Sequence, residues 1–132
     1  MKGETNLSTL IRNMEPFLNE GDYVFCLVEN NKAIPFEDVL FYFREKEAIT
    51  IVVRKEYADA YQLPYNYISS WITLSIHSAL EAVGLTAAFS KVLADEGISC
   101  NVVAAYFHDH IFIAKADALK AIEALHKLSE KL

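Results

Sequence analysis

The stretch Gly84-Leu85-Thr86-Ala87-Ala88-Phe89-Ser90-Lys91-Val92-Leu93-Ala94-Asp95-Glu96-Gly97-Ile98-Ser99 decides how this chain folds. Leu85, Ala88, Phe89, Val92 and Leu93 fall at i, i+3, i+4, i+7 and i+8, so they make one apolar stripe along a helix. Gly97 stands where the helix must end, at the position where a left-handed backbone costs least, and residues 98–107 then read as a strand. Upstream, Ile72, Leu74 and Ile76 alternate with Thr73, Ser75 and His77, the period of a strand with one face buried. Downstream, His108-Asp109 reads as a tight turn and residues 111–114 as the returning strand. A last helix is expected to carry Leu119, Ile122, Leu125 and Leu128 inward, with Lys120, Glu123 and Lys127 outward. The second half thus reads βαββα, a split βαβ unit lacking its final strand.

The first half is less regular. Asn6 is placed to cap a short helix carrying Leu7, Leu10, Ile11 and Met14, which Pro16 stops. Residues 23–28, 39–43 and 48–53 have strand composition, separated by the Asn30-Asn31 turn and the charged turn Arg44-Glu45-Lys46-Glu47. Residues 55–61 read as a short helix ended by Pro64. That order, αβββα, leaves a strand to spare, so one half is expected to complete the sheet of the other. The junction Leu63-Pro64-Tyr65 lacks the Gly/Ser composition of a flexible linker.

Composition narrows the function classes. A net charge of −6 with no clustering of basic residues opposes the phosphate attraction that nucleic-acid binding needs. The apolar runs are broken well short of the ~20 residues of a membrane helix, and Met1-Lys2-Gly3-Glu4-Thr5 opens no signal-peptide apolar segment, so a cytoplasmic protein is expected. With 53% hydrophobic residues, including 8 Phe and 7 Tyr, the chain has a dense core and apolar area left for association. An open sheet edge favours pairing with a second copy, so a homodimer or higher homo-oligomer is expected. Cys26 and Cys100 lie apart in apolar runs, without metal or disulfide spacing, and read as core thiols.

The 84–99 stretch resembles the first helix of the ACT domain, a family of small regulatory modules, with its glycine-containing loop before the helix and a Gly-Ile turn after it. The wider run from Trp71-Ile72-Thr73-Leu74 to Asn101-Val102-Val103, with Gly21-Asp22-Tyr23-Val24-Phe25-Cys26, is similar to small stand-alone bacterial proteins of two tandem ACT-like repeats. The second repeat resembles the regulatory part of aspartate kinases. The resemblance implies an α+β fold of two ferredoxin-like repeats of βαββαβ type, divided at 1–65 and 66–132, with antiparallel sheets and helices packed on one face. It also implies an amino-acid-like effector bound between repeats, at the loop before the helix and the start of the following strand. Here those segments hold Glu81, Val83, Gly84, Leu85 and Thr86, then Ile98, Ser99 and Asn101. Ser99 stands where the family's Gly-Ile-Asn would place asparagine, and no proline precedes Gly84, which leaves the ligand unnamed.

Physical chemistry gives those positions two readings each. Unpaired N–H groups at a helix start favour a carboxylate, and Gly84 permits close backbone approach. Gly84 and Thr86 can equally be the cap that any helix needs. Asn101 reads as a strand-start turn residue or an effector contact, and Glu81 as a surface acid or part of the loop. Trp71 reads as a packed strand aromatic or as pocket lining. His77, His108 and His110 with Asp109 are the one cluster whose chemistry suits a metal, but no strong ligand motif is present and a solvated hairpin tip is the simpler reading. Cys100 inside an apolar strand is badly placed for a thiolate nucleophile. The expectation is a binding module with no catalytic residues, cofactor or metal. An interaction module without effector is the alternative, and an enzyme at the histidine cluster a weaker third.

Overall fold

A computed structural model describes residues 6–30, 33–75 and 83–130. In chain order the elements are α1 (Leu7–Asn13), β1 (Pro16–Leu18), β2 (Tyr23–Val28), a 3₁₀ turn (Phe36–Asp38), β3 (Val39–Arg44), β4 (Ile49–Arg54) and α2 (Lys55–Ala60). They continue with β5 (Ile68–Leu74), α3 (Leu85–Asp95), β6 (Asn101–Ala104), β7 (Asp109–Ala114), a second 3₁₀ turn (Lys115–Asp117) and α4 (Ala118–Glu130). Two units emerge, one of residues 1–19 and 70–132, the other of residues 20–69. The fold is α+β, and each unit is an antiparallel sheet with helix on one face.

In the larger unit the strand order is β1-β5-β7-β6. Ile72 and Leu74 of β5 and Ile111 and Ile113 of β7 alternate onto the face where Phe89 and Leu93 of α3, Leu10 of α1 and Leu125 of α4 close the core. The stripe expected on 85–93 is therefore the surface that α3 buries. The helix ends on a two-bond motif: Gly97, at φ +74°, donates to Ala94 O at 2.9 Å, and Ile98 N donates to Leu93 O at 2.9 Å. Ser129 Oγ of α4 reaches the end of α1, 2.8 Å from Ile11 O, which also accepts from Met14 N at 3.3 Å, and 2.9 Å from Arg12 O. Asn6 caps α1, its Oδ1 accepting from Thr9 N at 3.0 Å.

The missing final strand is β1. Its residues Pro16, Phe17 and Leu18 pair with Leu74, Thr73 and Ile72, and Ser75 N donates to Glu15 O at 2.8 Å. Three residues headed by proline carry no period to read, and proline is tolerated here because it opens an edge strand.

Three further details differ from the sequence expectation. The strand expected over 98–107 is only Asn101–Ala104, because Ile98 serves the helix end and residues 105–108 make the turn, closed by Ala105 N to His108 O at 3.0 Å. Tyr106 and Phe107, read as strand aromatics, are exposed at that tip. Leu119 is 78% exposed, because the Lys115–Asp117 turn sets the phase of α4 so that Ala118, Ala121, Ala124 and Leu125 face inward.

The smaller unit orders its strands β3-β4-β2, with Ile68 and Ser69 pairing beyond β2 with Val24 and Tyr23. Val24, Cys26 and Val28 meet Ile49, Ile51 and Val53 in the core, which Ala58 of α2 and Ile34 cover. Ser69 donates to Tyr23 O at 2.7 Å and is fully buried, so its polar group is satisfied.

Candidate functional site

The candidate residues lie around α3. Gly84 sits at the cap position with φ +96°, and no side chain caps this helix. Among the described residues no side chain takes up its N-terminal N–H groups, and such groups are the chemical basis for binding a carboxylate. Val83 is 82% exposed, Leu85 is buried in the core, and Thr86 is exposed. Thr86 thus does not act as the cap. Leu7 of α1 approaches closely: a Cβ at Gly84 would meet Leu7 Cδ2 at 3.0 Å.

At the other end of the helix, Ile98 is buried while Ser99 is exposed, and both line an open groove of about 590 Å³ with Ala87, Ser90, Lys91, Ala94 and Cys100. Asn101 Nδ2 donates to Phe112 O at 3.1 Å, so its amide ties β6 to β7. An eleven-residue helix is about 16 Å long at ~1.5 Å per residue. The unit therefore gathers Val83, Gly84, Leu85 and Thr86 at one end of α3 and Ile98, Ser99 and Asn101 at the other, and does not bring the two groups together. Glu81 and His77 lie outside the described residues.

Burial pushes the Cys100 thiol up to about 11 and also raises Cys26. Both stay protonated at neutral pH, without the activation a nucleophile needs. Among the described residues no group of three or more His, Cys, Asp or Glu is placed to hold a metal ion. His108 and His110 do approach, ring centroids 6.3 Å apart and edge-on. His110 is engaged elsewhere, since Trp71 Nε1 donates to its Nδ1 at 3.0 Å.

Sequence reasoning missed a polar cleft of about 390 Å³ in the smaller unit, where Glu20, Gly21 and Asp22 face Arg54, Lys55, Glu56 and Asp59. The signal was available: Tyr23 pairs with Arg54, so the charged residues flanking β2 and β4 must meet. Its charges are largely matched internally, Lys55 to Asp59 at 3.0 Å and Arg54 to Glu56 at 3.5 Å, with Tyr65 donating to Asp59 at 2.6 Å.

Family comparison adds what geometry leaves open. Two ACT domain models match, one over residues 2–70 and the other over 66–127. This chain belongs to the ACT domain family. Its two ACT domains make up a chain with a regulatory type of fold, and neither model indicates a catalytic family. A crystal structure of a Vibrio cholerae protein of unknown function, described as a possible transport protein, shares 44% identity over 93% of this chain and 95% of that one, with a TM-score of 0.81. An Agrobacterium tumefaciens protein is 17% identical over 88% and 89% of the two chains, TM-score 0.72. The ligand-free regulatory subunit of Thermus thermophilus aspartate kinase is 10% identical over 86% and 95%, TM-score 0.61. At those identities the last two share the fold. No curated protein matches the chain. Among the described residues no helix is long and apolar enough to cross a membrane.

Proposed function

We propose that this ACT protein is a cytoplasmic regulatory binder of an amino-acid-like effector, built of repeats 1–65 and 66–132 and working as a homo-oligomer without catalysis or cofactor. The observation that carries the reading is the uncapped start of α3 at Gly84, in a chain made of ACT domains. The effector carboxylate would take the free N–H groups there, and Thr86 would offer its hydroxyl. Ser99 and Asn101, at the far end of the same helix, would serve a ligand held by the start of α3 in a second copy of this chain. Each domain then supplies half of a site, and occupancy couples directly to assembly. A ligand acts this way only by binding one assembly state better than another.

Thermal melting against a panel of common amino acids, with sedimentation followed in parallel, tests this. An effector at a hundred times its dissociation constant adds about 2.7 kcal/mol to stability and shifts the sedimentation profile. Thr86→Val is expected to abolish the shift while leaving the unliganded melt unchanged. A panel with no effect on either readout overturns the reading.

A second reading has one specific observation in its favour. Leu7 against Gly84 places an apolar side chain where a ligand would approach. An interaction module with no effector would fill the position in this way. Under it, Leu7→Ala creates no amino-acid response.

A further inference from the structure

The face of the larger unit's sheet opposite its helices carries Trp71 and Thr73 from β5 and His110 and Phe112 from β7, by alternation with Ile72, Leu74, Ile111 and Ile113 on the core face. Trp71 Nε1 donates to His110 Nδ1 at 3.0 Å, and the Thr73 hydroxyl lies 3.1 Å from the same nitrogen. The Trp71 ring stacks on Phe112, centroids 6.4 Å apart and 15° from parallel. Asn19 Nδ2 donates to Thr73 Oγ1 at 2.9 Å and to Trp71 O at 3.2 Å, so the Thr73 hydroxyl accepts from Asn19 and is free to donate its own proton to the imidazole.

An indole N–H can only donate. The His110 Nδ1 must therefore be the unprotonated nitrogen, and the neutral ring carries its proton on Nε2. We infer that Trp71, His110 and Thr73 form a proton-operated latch across β5 and β7: neutral His110 closes it, and the imidazolium, which presents N–H to N–H, opens it. Opening breaks the indole's hydrogen bond to His110 and disturbs the Trp71–Phe112 stack, so protonation reshapes this face of the sheet.

The surroundings favour the closed state. Partial burial, and secondly the charge of His108, both lower the His110 pKa below its ordinary value. Among the described residues of β7 and its turn, His108 is the ionisable group that contacts it, its ring edge-on at 6.3 Å. Asp109 precedes His110 on β7 and by strand alternation projects to the other side; its own carboxyl is raised by burial. The residues facing His110 from β5, β1 and β6, namely Trp71, Thr73, Phe17 and Val103, are uncharged, as is Asn19.

Trp71 is the single tryptophan of the chain, so its fluorescence reports the latch directly. Titrating the intact protein from about pH 8 to about pH 4.5 should show a fluorescence step centred below the ~6.5 of an unperturbed histidine, with far-UV circular dichroism unchanged across it. His110→Gln, whose amide oxygen accepts from the indole and does not titrate, should abolish the step. His108→Asn should keep it and move it to higher pH. A step that survives in His110→Gln, or a wild-type trace that is flat until the fold itself is lost, overturns the latch. Nitrogen NMR of wild-type His110 gives an independent reading that needs no variant: the Nε2–H tautomer is required at neutral pH, and the Nδ1–H tautomer would refute the proposal.

Discussion

The two units place their strands in the same relative order but cross between them differently. In the larger unit the crossover from β5 to β6 is α3, an eleven-residue helix with a full apolar stripe. In the smaller unit the corresponding crossover, from β2 to β3, holds a single 3₁₀ turn among its described residues, Phe36–Asp38. The sequence explains why. Residues 29–38 include Pro35, which disfavours helical backbone in the residue before it, and offer no i, i+3, i+4 apolar set. Among the described residues of this crossover Ile34 alone reaches the core, at 4% exposed, where α3 sends Leu85, Phe89 and Leu93. Among the described residues, only the larger unit has a long crossover helix, and the regulatory proposal rests on that asymmetry.

The largest expected effect measures how much the crossover helix contributes. Phe89 is fully buried, and Phe89→Ala should cost about 3–5 kcal/mol in urea denaturation. Ile34→Ala, the nearest equivalent in the smaller unit, should fall near about 2 kcal/mol, because a loop relaxes around a deletion more readily than a packed helix does. Equal losses would break the comparison and show the 29–38 crossover to be as firmly packed as α3.

The second effect separates the two glycines that bracket α3. Gly84→Ala and Gly97→Ala both place a side chain in the left-handed region, at a strain of about 1–2 kcal/mol each. A Cβ at Gly97 meets nothing within 4 Å, whereas one at Gly84 presses on Leu7 at 3.0 Å. Gly84→Ala should therefore be the more destabilising in thermal denaturation, and Leu7→Ala in the same chain should cancel the difference. If the glycines cost the same and Leu7→Ala changes nothing, Leu7 does not fill the helix start and the interaction-module reading loses its support.

How far the sequence could be read follows the same asymmetry. The α3 stripe, Gly97 and β7 were legible because period and cap agree within one short stretch, as they were for Asn6 and α1. β1 was not, since three residues have no period, and its identity as the fourth strand depends on pairing with residues more than fifty positions away. Leu119 was misplaced because one 3₁₀ turn rotates the helix that follows it. The candidate site was legible as two segments, but not their separation along α3, which depends on the strand crossover rather than on any residue.

The smallest effect compares the i,i+4 ion pairs of the two units. Lys91 and Asp95 meet at 2.8 Å with 74% and 63% of their side chains exposed, and Lys91→Ala should change stability by no more than about 0.5 kcal/mol. Asp59 pairs with Lys55 at 3.0 Å and also accepts from Tyr65 at 2.6 Å. The Tyr65 hydroxyl first, and Lys55 second, hold the Asp59 carboxyl below its ordinary value. A carboxyl lowered in the fold stabilises above its unfolded pKa of ~3.8 and loses that contribution as pH falls through the folded value. Asp59→Asn should therefore flatten the acid side of the stability profile, by an amount that high salt reduces because the group is on the surface. An acid limb identical to wild type would mean that the Tyr65 bond does not persist in solution, and the smaller unit's charged cleft would then be no more ordered than the isolated pair on α3.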